Sequence, residues 1–399
     1  PFDNLRDDQS TDWLRNGSVN MLALNMSQWK DMAVVDHERV HDLLARHGLT
    51  SSDDIGLDMA RKLAREAGVW TVVLGDYQEV GDSLHLTARV FDVATGARSD
   101  VAEVSAPTTN DPRPAFDRLA LRLLDISGAP GGVWADLASA TTPSLEAYRS
   151  YLAGLDRLNH WELAAAQRNF QRAVEIDSAF GLAYYKLALT RGWLVGTQDS
   201  TGQQAIDRAL LYSQQLPAHD RAVITAYRFF LLGQNTAARN IYEQLLARDP
   251  MDADAWYGLG DAWFHDTEGR PDRHFTESLR AFRRTLALAP DYSLAYEHIQ
   301  FMLDQASRPA TGMFLVTPDS FASGPGVDST VRVAATARAR QAGVESARAW
   351  STTQPGTGRA HLAMVDALLA NRQYPDAMAE VARFRSADPT NPEMPFLQH

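Results

Sequence analysis

Residues 253–263 read ADAWYGLGDAW, and this stretch decides the fold of most of the chain. Trp256, Leu259 and Trp263 recur at intervals of three and four residues, which places them on one face of a helix. Gly260 adjoins them, and a residue this small lets a second helix approach closely. The stretch therefore predicts one helix of a closely packed pair.

The spacing reproduces the W-x2-L-G-x2-Y pattern of tetratricopeptide repeats, with tryptophan in place of tyrosine, and the chain resembles that family. Phe282 and Pro290 follow half a repeat later, as an aromatic to fill the space and a proline to end the helix. The other copies carry matching positions at Gly154, Ala166, Phe170 and Ala173; Tyr184, Leu187, Ala188, Ala205 and Pro217; Ala226, Phe229, Ala238, Tyr242 and Pro250; Tyr296 and Ile299; and Tyr374, Ala377, Phe384 and Pro389. The sequence predicts an all-α superhelical solenoid of about six repeats over 144–399, with one degraded repeat that carries a long loop at 307–328.

In this family the first helix of each repeat lines a concave groove, and the resemblance places mainly aromatic side chains at the groove-facing positions. Aromatic side chains bury a large area at a low entropic cost, as recognition of a peptide or a partner helix requires. These positions are Tyr148, Tyr151, Tyr185, Trp193, Tyr227, Phe230, Tyr257, Asp261 and Phe264. The resemblance implies that a protein or peptide binds there, while any single member could instead pack against a neighbouring helix.

Residues 1–128 have a different period. The segments at 70–80, 84–93 and 98–106 alternate apolar and polar residues and are separated by glycine-containing turns, which predicts an antiparallel meander. Helices are predicted on both sides of it, and a short buried strand is predicted at 32–35. The sequence thus predicts an α/β (or α+β) domain with a small mixed sheet over 1–128, followed by a linker at 129–143.

Short motifs of this first domain occur in a recognisable order: PFDNL at 1–5, REAGV at 65–69, VVLG at 72–75, GDSL at 81–84, TARV at 87–90 and FDVATG at 91–96. In that order they resemble the TolB amino-terminal-domain family. The resemblance implies a non-enzymatic module found with tetratricopeptide arrays in bacterial signalling proteins, such as serine/threonine kinases whose kinase domain lies upstream. It also implies a location on the periplasmic side, tethered by a membrane segment upstream of Pro1, with the cytoplasm as the alternative.

The segment His37-Glu38-Arg39-Val40-His41 matches H-E-x-x-H, the zinc peptidase motif in which two histidines hold the metal and the glutamate activates water. The metzincin form of this motif requires glycine at position 44, where this chain has Leu44, so His47 is not predicted to be a third ligand. Gly48 can end an ordinary helix here. The sequence favours a plain helix, and a zinc-dependent hydrolase that uses His37, Glu38 and His41 is the alternative.

Composition narrows the remaining function classes. The net charge of about −12 gives no basic field for nucleic acid, and the chain has no cysteine for thiol catalysis or cysteine-ligated metals. No apolar run is long enough to insert in a membrane. Metal-ligand residue types gather at His265, Asp266, Glu268, Asp272 and His274, but they fall in an insertion where solvated charges are expected.

The sequence therefore predicts no catalytic residue, no cofactor and no metal. The preferred function is a non-enzymatic scaffold or sensor region of a bacterial signalling protein that binds a protein or peptide in the groove. Beside the zinc hydrolase, a small-molecule sensor at the cleft between the two domains is a further alternative.

Overall fold

The computed structural model describes residues 1–6, 9–26, 34–35, 37–49, 54–107, 111–126, 141–266, 268 and 271–387. The chain divides into two compact units, the first formed by 1–156 with 163–224 and the second by 157–162 with 225–399. The first unit thus joins the amino-terminal domain to the first helix pairs of the repeat region. The predicted linker lies mostly at 129–140, outside the described residues.

A four-stranded mixed sheet forms the centre of the amino-terminal domain. Its strands are β1 (Phe2–Asn4), β2 (Thr71–Val80), β3 (Ser83–Asp92) and β4 (Arg98–Pro107), hydrogen-bonded in that order. β1 pairs in parallel with β2, while β2, β3 and β4 form the antiparallel meander that the alternating pattern predicts. The small mixed sheet is therefore confirmed.

Four helices accompany this sheet: α1 (Trp13–Met26), α2 (His37–Arg46), α3 (Leu57–Ala67) and α4 (Arg113–Ile126). α1 and α4 pack on each other and on the sheet, and Leu14, Met21 and Phe116 are among their fully buried side chains. α2 and α3 form a separate apolar cluster centred on Leu43 and Leu63.

The H-E-x-x-H segment lies in α2, which continues through the buried Leu44. Gly48 adopts a left-handed conformation with φ of 67°, and the amide of Leu49 donates to the carbonyl of Leu44 at 3.0 Å. These two features end the helix as the sequence predicts. The predicted strand at 32–35 is absent from its described part, since Val34 and Val35 have no regular structure.

Helices α5 to α16 make up the described repeat region, residues 145–387, and form six consecutive pairs. The pairs are α5 (Leu145–Asn159) and α6 (Leu163–Ile176), α7 (Gly181–Val195) and α8 (Ser200–Leu211), α9 (Ala218–Leu231) and α10 (Asn235–Arg248), α11 (Ala253–Phe264) and α12 (Pro271–Leu288), α13 (Ser293–Ser307) and α14 (Ser329–Thr353), and α15 (Gly358–Ala370) and α16 (Tyr374–Ala387).

Close approach of glycine and phenylalanine recurs within these pairs. A Cβ atom on Gly154 of α5 would lie 2.5 Å from the Phe170 ring of α6, and one on Gly260 of α11 would lie 2.7 Å from the Phe282 ring of α12. Both distances are shorter than van der Waals contact, so only glycine fits at either position. The repeated small and aromatic residues therefore set the spacing of the helices, as the sequence predicts.

The segment predicted as a long loop at 307–328 forms a β-hairpin. After a short 3-10 turn (Pro309–Thr311), β5 (Met313–Thr317) pairs with β6 (Ser320–Ser323) between α13 and α14. Phe314 and Leu315 are buried, and the Arg338 guanidinium of α14 donates to the carbonyls of Leu315 and Val316 at 2.7 Å. The flanking proline and glycine residues favour a loop, whereas the apolar run MFLV at 313–316 is typical of a buried strand.

A buried arginine connects the amino-terminal domain to the chain that enters α5. The side chain of Arg113, at the start of α4, has no exposed area. Its guanidinium donates to Asp111 at 2.6 and 2.9 Å and to the carbonyl oxygen of Pro143 at 3.0 Å, and it also donates to the carbonyl of Thr142. The guanidinium group thereby hydrogen-bonds the segment that enters α5 to the amino-terminal domain.

We expect Arg113→Lys to lower the free energy of unfolding of the first unit by about 2 kcal/mol, because an ammonium cannot satisfy all these oxygens at once. The measurement is urea unfolding followed by circular dichroism. Arg122→Lys is the matched control, since Arg122 lies on the same helix but is exposed, and it should change stability by less than about 0.5 kcal/mol. Equal stability of the two variants would contradict this role of Arg113.

Candidate functional site

The nine predicted groove residues differ in their exposure. Tyr148, Tyr151, Tyr227, Phe230, Tyr257 and Asp261 are buried, and Tyr185, Trp193 and Phe264 are half-buried. The buried rings pack inside the repeats; the Tyr151 ring centroid, for example, lies 5.1 Å from that of Phe180. The Tyr148 hydroxyl donates to Asn20 Oδ1 of the amino-terminal domain at 2.5 Å. These six side chains therefore contribute packing area rather than open surface.

Phe264 is instead part of an aromatic surface in the second unit. Its ring stacks on Phe275 of α12 with centroids 5.6 Å apart, and it meets the ring of Phe301 of α13 edge to face at 5.5 Å. Phe275 in turn packs edge to face on Phe321 of the hairpin. Phe301 is 50% exposed. We refer to Phe264, Phe275 and Phe301 together as the Phe301 surface.

Three metal-ligand side chains converge beside this surface. Asp261 and His265 lie one helical turn apart at the end of α11, and His298 reaches them from α13. Asp261 Oδ1 lies 2.9 Å from His265 Nδ1 and 3.2 Å from His298 Nε2. We refer to these residues as the Asp261 cluster.

Electrostatics keep the Asp261 carboxylate ionised. Burial alone would raise its pKa, but the facing imidazoles of His265 and His298 outweigh burial and hold the pKa well below its ordinary value. For His265 the signs are reversed: burial lowers the pKa of the imidazole, but its interactions with Asp261 together raise the pKa above the ordinary value. The cluster therefore holds a buried negative charge that favours a cation next to it.

The metal-ligand residue types that the sequence places together at 265–274 do not form one site. Asp266 pairs with Arg239, Asp272 accepts a hydrogen bond from Ser323 at 3.1 Å, and His274 packs on Trp263 with ring centroids 5.9 Å apart. His265 is the member that joins a cluster, and it does so with residues outside that stretch. Sequence reasoning missed His298, which lies on α13, the first helix of the next pair.

The H-E-x-x-H alternative depends on His37, Glu38 and His41. His41 is half-buried in α2, while the side chains of His37 and Glu38 lie outside the described residues. His47, which was not expected to be a ligand, has its Nε2 atom 3.0 Å from Glu66 Oε1. The alternative of a zinc site here remains a prediction.

Comparison with known proteins finds a family match for one part of the repeat region. Residues 225–273, which contain the ADAWYGLGDAW stretch, match the tetratricopeptide repeat family. This segment of the chain is therefore similar to tetratricopeptide repeats. No curated protein matches the sequence. The TolB-like resemblance of the first domain and the association with a kinase stay predictions.

Several solved structures of other proteins are similar to this chain at low identity. The APC/C hetero-tetramer Cut9-Hcn1 is 13% identical with a TM-score of 0.36, over 63% of this chain and 42% of that chain. A thermophilic tetratricopeptide repeat protein of Thermus thermophilus is 14% identical with a TM-score of 0.32, over 63% and 95%. A human IFIT1 dimer with m7Gppp-AAAA is 11% identical with a TM-score of 0.39, over 97% and 75%. The chain thus spans less than half the length of the first of these proteins, and at such TM-scores the likeness says nothing about function.

The predicted location requires a correction. A membrane-tethered position on the periplasmic side was expected from the resemblance of the first domain. Within the described ranges, no helix combines the length and the apolar character needed to cross a bilayer. The predicted tether therefore has no support in the structure and is withdrawn.

Proposed function

We propose that this tetratricopeptide-repeat chain is a non-enzymatic interaction module that binds a protein segment on the Phe301 surface. The observation that carries the proposal is the half-exposed ring of Phe301, which meets the ring of Phe264 edge to face, while Phe264 in turn stacks on Phe275 of α12. Large aromatic side chains on rigid helices lose little entropy on binding and frequently dominate interface energies. This surface therefore suits an extended or helical peptide with apolar anchors.

The net charge of the chain indicates which residues should flank the apolar anchors of a partner segment. The chain carries a net charge of about −12, so long-range electrostatics favour a partner segment with basic residues around its apolar ones. A role in bacterial signalling is part of the same proposal, and it is supported by the TolB-like motifs of the first domain.

We expect Phe301→Glu to weaken binding of peptides selected from a random peptide library on the wild-type chain. The loss should reach about 30-fold in Kd, because removing a central aromatic anchor costs about 2 kcal/mol or more. Isothermal titration calorimetry on the selected peptides measures the effect. Phe301 is half exposed, so the substitution should leave the thermal stability of the chain nearly unchanged.

Met378→Glu is the matched control, since Met378 is an apolar residue of α16 that is 68% exposed and is not part of the Phe301 surface. It should bind the peptides like the wild-type chain. A library that yields no binding peptide would contradict the proposal, and so would an equal loss of affinity in the two variants.

A further inference from the structure

We propose that Asp261, His265 and His298 bind one divalent transition-metal ion of the Zn²⁺ class. One carboxylate oxygen and two imidazole nitrogens are ligands that Zn²⁺ and its first-row neighbours favour, whereas Mg²⁺ and Ca²⁺ prefer oxygen ligands throughout. The three ligand atoms all lie within 4.8 Å of one another. The proposal is independent of peptide binding on the Phe301 surface.

The distances within the Asp261 cluster fit a common metal centre. Ligands held about 2.0–2.1 Å from a tetrahedral Zn²⁺ ion lie roughly 3.3 Å from each other. Asp261 Oδ1 lies 3.2 Å from His298 Nε2 and 2.9 Å from His265 Nδ1. The first separation already matches and the second is slightly shorter, while the two histidine nitrogens lie within 4.8 Å of each other.

The buried oxygen of Asp261 is an independent sign of a bound cation. The residue is 6% exposed, yet its Oδ1 atom has no hydrogen-bond donor. Both ring nitrogens lie close to this oxygen, at 2.9 and 3.2 Å, so its charge is balanced only when one of the two rings is protonated. A buried carboxylate oxygen without a donor is costly. A metal ion between the three atoms would remove this cost, since the ligands would then point at the ion and not at one another.

The surroundings of His298 prepare it as a ligand. Its Nδ1 atom lies 3.1 Å from the carbonyl oxygen of Leu294, which can only accept, so Nδ1 carries a hydrogen and Nε2 is the ring nitrogen left to bind an ion on the side of Asp261. A backbone carbonyl on the distal nitrogen is a common arrangement at metal-binding histidines. The rings of Phe282 and Phe264 pack on the imidazole with centroids 4.7 and 4.6 Å away and hold its orientation.

The exposure of His265 gives a metal ion access to the cluster, and the three ligands leave room for further coordination. Its side chain is 37% exposed, so an ion can enter from the solvent on that side. Three protein ligands leave at least one coordination position for water or for a group of another molecule. The competing arrangement is an ion pair alone, in which the Nδ1 atom of a protonated His265 lies 2.9 Å from Asp261 Oδ1 and also contacts the main-chain carbonyl oxygen of Asp261 at 3.2 Å.

The test is Zn²⁺ titration of the tag-free, chelator-treated full chain by isothermal titration calorimetry, with bound zinc counted by mass spectrometry. We expect one Zn²⁺ ion per chain. His265→Gln and His298→Gln should each weaken binding by more than about 100-fold, beyond the usual effect of losing an outer-shell partner. Co²⁺ substitution adds a spectroscopic readout, since a low-symmetry four-coordinate site gives intense visible absorption that the two variants should lose.

Two control variants make the result specific. His219→Gln removes a partly exposed histidine of α9 and should keep the ion, and His37→Ala should also keep it. Loss of zinc in His37→Ala with retention in His265→Gln would assign the ion to the H-E-x-x-H segment and overturn the proposal. Absence of stoichiometric zinc from the wild-type chain would leave only the ion pair. If His298→Gln does not fold, the His265→Gln variant alone serves as the test, because His265 is half exposed. Zn²⁺ affinity equal to that of the wild-type chain in His265→Gln would then refute the site.

Discussion

Trp350→Ala is expected to lower the free energy of unfolding of the second unit by about 4 kcal/mol, the range for removing a large aromatic side chain from a packed core. Trp350, in α14, has no exposed area, and its ring stacks on Tyr296 of α13 with centroids 5.4 Å apart and an interplanar angle of 4°. The ring of Trp161 meets it edge to face at 6.1 Å. Alanine would leave a cavity where all three rings meet.

The indole also supports a polar network that alanine would disrupt. Its Nε1 atom donates to Gln354 Oε1 at 2.8 Å. The amide nitrogen of Gln354 donates in turn to the carbonyl oxygens of Asn159 and Asp291 at 3.0 and 2.9 Å. Without the tryptophan, the glutamine loses a donor inside the core, which adds to the cost of the cavity.

Urea unfolding measured by circular dichroism checks this prediction, with Trp70→Ala as the matched control. Trp70 is 85% exposed, so its removal should change the free energy of unfolding by less than about 0.5 kcal/mol. Similar losses in the two variants would mean that the contacts around Trp350 do not hold α13 and α14 together.

Gly258→Ala is expected to lower the free energy of unfolding of the second unit by about 3 kcal/mol, at the upper end of the cost of overpacking. A Cβ atom at Gly258 of α11 would overlap the aromatic ring of Tyr242 in α10, the last helix of the preceding pair. Tyr242 is itself 2% exposed, so its ring has little room to move. The substitution would therefore force adjacent helix pairs apart.

The control for Gly258 is a second helical glycine, Gly343 in α14. A Cβ atom there would have no neighbour within 4 Å, so Gly343→Ala should raise stability by about 0.5–1 kcal/mol through the better helix propensity of alanine. Thermal unfolding of both variants measures the difference in sign. Loss of stability in Gly343→Ala and none in Gly258→Ala would contradict the packing described for these helices.

The helix pairs could be predicted from the sequence because their packing rule is local and repeats. The small and aromatic packing positions of the copies, such as Gly260 and Phe282, recur along the chain. The sheet was predictable for a similar reason, since period-two alternation and glycine turns are visible within a few residues. The structure places these elements at the positions that those patterns indicate.

The candidate site could be predicted only in part, because it depends on contacts between repeats. Asp261 and His265 were each noted, but their approach to His298 requires two successive first helices to lie side by side. The exposure of the groove residues could not be predicted from the sequence either. Tyr257 and Phe264 both occupy predicted groove positions, but Tyr257 is buried and Phe264 is half-buried, because their exposure depends on the neighbouring side chains. The hairpin at β5 and β6 is an insertion in the repeat, so the repeat pattern carries no information about it.

Hydrogen–deuterium exchange of the chain with and without a library-selected peptide tests the central claim most directly, because it locates the bound peptide without a substitution. We predict slower amide exchange in α11 and α13, Ala253–Phe264 and Ser293–Ser307, which carry Phe264 and Phe301. Exchange in β2 to β4 of the amino-terminal domain should not change. Protection confined to the amino-terminal domain, or none in α11 and α13 when the peptide is saturating, would contradict the assignment of the Phe301 surface as the binding site.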